Sequence, residues 1–155
     1  GQKLADRMII LTDGRVLQSG KPDEIFRKPK NKFVADFVGI ENVMSGEAEE
    51  VGDGLVSIKT DSITIFTLTE KRGNVNFSIR PDEITISKEK IKTSARNTIQ
   101  GEVQEIIDTG SLIRLVINAV ELFIVFITRE SLTDLEITIG TPVWMYFKVS
   151  AVHVF

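Results

Sequence analysis

NTIQGEVQEIIDTG, residues 97–110, is a degenerate copy of NVMSGEAEEVGDG, residues 42–54. Asn, Gly, Glu, Glu and an aliphatic recur in step, as Asn42/Asn97, Gly46/Gly101, Glu47/Glu102, Glu50/Glu105 and Val51/Ile106. Two further segments follow in the same order. ITIFTLT (63–69) parallels LFIVFIT (122–128), and VNFSIRPDEITI (75–86) parallels VWMYFKVSAVHV (143–154), which sets Arg80 opposite Lys148. Matches kept in one order define a duplicated unit with halves 41–93 and 94–155. β-Branched and aromatic residues fill these segments, and SLIRLVINAVELFIVFIT (111–128) is expected to fold back at Asn118-Ala119. Turn signals at Gly52-Asp53-Gly54, Arg72-Gly73-Asn74 and Gly140-Thr141-Pro142 separate the short strands. Many short strands at this spacing predict a mainly β fold, a small barrel or sandwich. Arg129 to Ile137 is the helical candidate within it, with Ser131 as its cap.

Composition narrows the function. The chain is 42% hydrophobic over 155 residues, enough to bury a core. Its longest apolar run, LFIVFIT, is far short of the roughly 18 residues that span a membrane. The N-terminus shows no signal-peptide pattern. With no cysteine there is no disulfide framework, thiolate nucleophile or cysteine metal site. His153 is the sole histidine, which removes His-rich metal sites and gives a Ser-His-Asp triad no support; it reads as a buried or partly buried strand residue. The net charge is -3, and no segment interleaves basic and aromatic residues, so nucleic acid is not an expected partner.

Residues 1–40 read differently. Apolar runs flank Asp13-Gly14 in RMIILTDGRVLQSG, a hairpin signal. KPDEIFRKP has Pro22, Asp23 and Glu24 in a first turn, and NKFVADFVG places Phe33, Val34 and Phe37 at helical spacing before Gly39. A hairpin and two short helices are expected, too little to close a core alone.

LADRMIILTDGRVLQSGKPDEIFRKP (4–29), followed by FVADFVG (33–39), resembles the last stretch of an ABC-transporter ATPase domain. The phosphate loop, signature and acidic Walker B strand of that family have no counterpart in the chain, so it is not expected to act as an enzyme by itself. On this resemblance ATP and Mg²⁺ belong to another part of a longer parent ATPase. TSARNTIQGEV (93–103), with GSLIRLVI (110–117) and FITRESLTDLEITIGTPVWMYFKVSAV (126–152), resembles the TOBE/Mop family of molybdate- and tungstate-binding modules. Together the resemblances imply an OB-like TOBE β-barrel domain at 41–155, preceded by a short α+β ATPase remnant at 1–40.

The candidate oxyanion site is Ser94, Ala95, Arg96, Asn97, Lys148 and Ser150. A tetrahedral dianion needs converging donors and no adjacent carboxylate. Arg96 offers a planar set of N–H groups, and Ser94 a hydroxyl. The 94–97 backbone can turn N–H groups inward, with Ala95 small enough not to crowd them. Lys148 adds a second positive charge, and Ser150 follows on the same strand face. Asn97 either donates to the ligand or fixes the turn. The bland reading makes 94–97 an ordinary turn, with Arg96 paired to a surface acid and Lys148 a solvated strand residue. Against it stands the repeat, in which Glu41 occupies the place of Arg96. Ser111 and Ser131 are weaker candidates, one in a turn and one at a helix cap.

The resemblance implies the C-terminal part of the ATP-binding subunit of a molybdate or tungstate importer, cytoplasmic and peripheral on the plasma membrane, with membrane-spanning permease subunits as partners. The expected ligand is molybdate or tungstate, held between the β domains of a homodimer so as to inhibit transport by feedback; no cofactor or direct metal ligand is expected in this chain. The alternatives are a ligand-free dimerisation module of an importer for another substrate, and a Mop-type oxyanion storage module.

Overall fold

The computed structural model describes residues 8–12, 15–20 and 41–155. Strands β1 (Met8–Thr12) and β2 (Arg15–Gly20) pair antiparallel with Thr12 opposite Arg15, as the apolar runs around Asp13-Gly14 predict. The two helices expected before residue 40 lie outside the described residues.

From residue 43 the chain is built of strands. β3 (Val43–Gly52), β4 (Leu55–Lys59), β5 (Thr64–Leu68), β6 (Gly73–Ile79) and β7 (Thr85–Ser87) come from the first half. β8 (Asn97–Asp108), β9 (Ile113–Ala119), β10 (Glu121–Ile127), β11 (Pro142–Phe147) and β12 (Val152–Val154) come from the second. The sheets run β12-β6-β3-β4-β5 and β7-β11-β8-β9-β10, the same order twice with the last strands exchanged. β7 pairs with β11, and β12 pairs with β6. Two 3₁₀ turns, Pro81–Glu83 and Val149–Ala151, redirect the chain from one sheet to the other. Trp144–Phe155 therefore spans the end of β11, a 3₁₀ turn and β12. Alternate residues face inward, and Phe77, Phe123 and Phe147 meet in one core fully closed to water.

The repeat has a physical basis at its glycines. A Cβ on Gly46 would lie 2.7 Å from Ile58 Cγ2 and 2.8 Å from the Lys59 carbonyl oxygen. A Cβ on Gly101 would lie 2.6 Å from Ile117 Cγ2 and 3.0 Å from the Asn118 carbonyl oxygen. In each copy the neighbouring strand passes too close for any side chain. These contacts also correct the sequence alignment by one residue. Ala48 faces Ile58 and Ile58 faces Ile65, while Val103 faces Ile117 and Ile117 faces Phe123, so Ile65 matches Phe123 and Phe66 matches Ile124.

The repeated asparagines brace the two sheets against each other. Asn97 is 2% exposed; its Oδ1 accepts from Phe66 N–H (2.7 Å), and its Nδ2 donates to Phe66 O (2.9 Å) on edge strand β5. Asn42 does the same to Ile124 on the other edge strand, β10, at 2.7 and 2.8 Å, and also donates to Ile79 O at 3.0 Å. Each amide thus satisfies backbone groups that an open sheet edge leaves without a ladder partner.

Two local expectations need correction. The β9–β10 turn is centred on Val120 (φ 73°), whose N–H donates to Asn118 Oδ1 at 3.0 Å, rather than on Asn118-Ala119. Helix α1 (Arg129–Asp134) is capped by Thr128, whose hydroxyl accepts from Ser131 N–H; Ser131 is inside the helix. His153 is half-buried on β12 and stacks on Phe155 with centroids 5.6 Å apart.

Candidate functional site

Residues 88–96 connect β7 to β8 without regular secondary structure, and they carry Ser94, Ala95 and Arg96. Side chains of β11 hold this connection down. The Tyr146 hydroxyl accepts from Ile91 N–H (2.8 Å), donates to Glu89 O (3.3 Å) and lies 3.2 Å from Ser87 Oγ. The Lys90 ammonium sits 5.3 Å above the Trp144 ring, a cation–π distance. The segment then closes on itself, with Ala95 N–H donating to Thr93 Oγ1 at 3.2 Å. That N–H is turned onto the chain rather than towards a ligand.

A groove of about 310 Å³ opens beside this segment, with Glu83, Thr93, Ala95, Tyr146, Lys148 and Ser150 among its lining residues. Three of the six sequence candidates, Ala95, Lys148 and Ser150, therefore meet in one cavity. Lys148 and Ser150 share it because the 149–151 turn bends between them, not because they alternate on a strand. Ser94 and Arg96 are exposed on the same connection and do not line the groove. Asn97 lies beneath, its carboxamide committed to Phe66, so its side chain acts on the framework.

The electrostatics distinguish the two halves. Glu41, in the place of Arg96, is bonded to Arg114 through Nε (3.1 Å) and Nη2 (2.6 Å). Arg80, in the place of Lys148, is bonded to Asp82 at 3.0 and 3.3 Å. The counterpart of Asp82 in the second half is Ser150. Among the described residues neither Arg96 nor Lys148 makes an ion pair. Both first-half positions are therefore paired, Glu41 with Arg114 of the second half and Arg80 with Asp82, whereas Lys148 at the groove and Arg96 on the connection beside it make no ion pair among the described residues.

Glu83, Tyr146 and Thr93 were not foreseen. Tyr146 and Thr93 carry no motif of their own. Glu83 reaches the groove through the strand exchange, and it places a carboxylate where the sequence reading expected none. A second groove of about 530 Å³ shares Glu83 and Ser150 and adds Arg80 and His153. No cluster of three or more His, Cys, Asp or Glu placed to hold a metal occurs among the described residues, and no described helix is long and apolar enough to cross a membrane.

Residues 93–154 match the TOBE domain. The chain is 41% identical, over 98% of its length, to the molybdate/tungstate import ATP-binding protein WtpC of Pyrococcus horikoshii. It is 38% identical, again over 98% of its length, to the protein of the same name from Pyrococcus abyssi. It spans 43% of the length of each of these relatives. Among solved structures, the cytoplasmic molybdate-binding protein ModG, with molybdate bound, superposes with a TM-score of 0.66 at 16% identity, covering 74% of this chain and 94% of that one. This last likeness is one of fold.

Proposed function

We propose, from the match of residues 93–154 to the TOBE domain, that this chain binds a tetrahedral metal oxyanion, molybdate or tungstate. The binding surface is the Lys148–Ser150 groove together with Ser94, Ala95 and Arg96. Asn97 holds the segment in place from below. The observation that carries this reading is the charge contrast between the halves. Arg96 and Lys148 are free to meet an anion, whereas Glu41 and Arg80 are closed in the pairs Glu41–Arg114 and Arg80–Asp82. Unpaired cations beside a hydroxyl are groups that suit an oxyanion.

In this reading the chain is the regulatory end of an importer's ATP-binding subunit, working at the cytoplasmic face of the membrane with permease subunits. ATP and Mg²⁺ act elsewhere in the parent subunit. A groove open on one side is completed by a second copy, whose own Arg96 and Lys148 double the positive charge and exclude water. Oxyanion binding then favours the paired state and biases the attached ATPase domains, the linkage that feedback inhibition needs. The similarity to the WtpC proteins supports the choice of ligand.

Titration calorimetry of the purified chain with molybdate, tungstate and sulfate tests this reading. Binding of the two metal oxyanions, abolished by Arg96→Glu, is the expected result. Absence of heat with both, or equal binding by Arg96→Glu, refutes the site; dimers indifferent to oxyanion point instead to a ligand-free dimerisation module.

A further inference from the structure

We infer that Glu83 sets the affinity of the oxyanion groove, as a fixed negative charge against which any anion must bind. The inference rests on the oxyanion reading and adds a regulator to its site. Glu83 and Lys148 line the same groove, yet among the described residues neither is in an ion pair. Only the backbone N–H of Glu83 is bonded, to Arg80 O at 3.0 Å. Arg80, the nearest cation in sequence, is already bonded to Asp82. The carboxylate thus has no hydrogen-bond or ion-pair partner among the described residues, on a residue that lines the cavity.

The duplication shows that the fold does not require an acid here. The turn Arg80-Pro81-Asp82-Glu83 is matched by Lys148-Val149-Ser150-Ala151, where Ala151 is 9% exposed and packs into the core. An alanine completes the same 3₁₀ turn before the same kind of exchanged strand. What Glu83 contributes beyond that is a negative charge, and the strand exchange carries it to the other half's anion groove.

Coulombic repulsion scales with the product of the charges, so a dianion is penalised twice as strongly as a monoanion of the same size. At a separation of several ångströms, with solvent present, a unit charge weakens dianion binding by about three- to thirtyfold at low ionic strength. The effect shrinks when salt shortens the screening length to ~3 Å at about 1 M. Glu83 is therefore a brake that keeps the groove from filling at low oxyanion concentration, and it discriminates by ligand charge.

The test is calorimetry of the whole chain and of Glu83→Gln with tungstate and with perrhenate, a tetrahedral monoanion of similar size. Glu83→Gln is expected to tighten tungstate by about three- to thirtyfold at low salt. The gain for perrhenate should be the square root of that, and both gains should diminish near 1 M salt. A purely structural role for Glu83 would not scale with ligand charge. Wild-type binding that Glu83→Gln leaves unchanged or weakens overturns this inference alone. No heat from either protein overturns the oxyanion reading and this inference with it.

Discussion

Asn97 offers the sharpest prediction about how the two halves are held together. Its carboxamide makes two hydrogen bonds to the Phe66 backbone, at 2.7 and 2.9 Å, from a position 2% exposed. Asn97→Ala removes both and leaves the Phe66 N–H and C=O without protein partners. A buried unsatisfied group costs ~1–3 kcal/mol. Phe66 is itself half-buried, so water reaches the edge in part, and the two losses together come to about 2–4 kcal/mol. For a domain of this size that lowers Tm by roughly 4–16 °C. Asn97→Asp is expected to be worse at neutral pH. One carboxylate oxygen still accepts from Phe66 N–H, but the other faces Phe66 O and a charge is buried. Burial raises the folded-state pKa of the introduced carboxyl above its unfolded value of ~3.9. The variant's stability deficit is therefore smallest near pH ~4 and grows as pH rises through the folded-state pKa. Urea unfolding of the wild type and both variants, near pH 5 and pH 7, reads all of this. An Asn97→Ala variant within ~0.5 kcal/mol of wild type, or an Asn97→Asp variant as stable as it at neutral pH, would refute the brace.

Three further outcomes follow from other contacts. Gly101→Ala forces a Cβ to within 2.6 Å of Ile117 Cγ2 and 3.0 Å of a backbone oxygen. Overpacking of ~1–3 kcal/mol, less the ~0.4–1 kcal/mol gained from a stiffer unfolded chain, should lower Tm by up to about 10 °C in a thermal scan. Tyr146→Phe removes the acceptor of the 2.8 Å bond from Ile91 N–H, so exchange of that amide, followed by NMR, should speed up by up to about tenfold; unchanged exchange contradicts the latch. Arg129, and then the Gly110 N–H, hold the Asp108 carboxyl below its ordinary pKa. The stability it contributes is present above the unfolded value of ~3.9 and is lost as pH falls through the lower folded value. The Tm difference between wild type and Asp108→Asn should therefore narrow on acidification below pH ~4, and a difference that widens there contradicts the pairing.

The fold was legible wherever a residue type has one physical use. Gly46 and Gly101 recur because a neighbouring strand leaves no room for a Cβ, and that recurrence exposed the duplication. The exchange of β7 and β12 was hidden. A three-residue strand such as Thr85–Ser87 carries almost no pattern, and its partner is chosen by the turn that precedes it. The one-residue slip between ITIFTLT and LFIVFIT has a similar cause, since two aliphatic strands align nearly as well in either register. At the site, Lys148 and Ser150 could be found because charge and hydroxyl sit two residues apart, although a turn rather than a strand brings them together. Asn97 was ambiguous because the same amide serves a ligand or a sheet edge, and only the position of Phe66 decides between them. Glu83 could not be seen at all, since it comes to Lys148 only through the exchange.

Native mass spectrometry of the chain with and without tungstate reads oxyanion binding and pairing together, because the heavy oxyanion is counted by mass while the assembly is weighed. Dimers that carry tungstate, more abundant with ligand than without, are the expected result, with no tungstate retained by Arg96→Glu. A chain whose assembly ignores tungstate and which retains none of it would contradict the account.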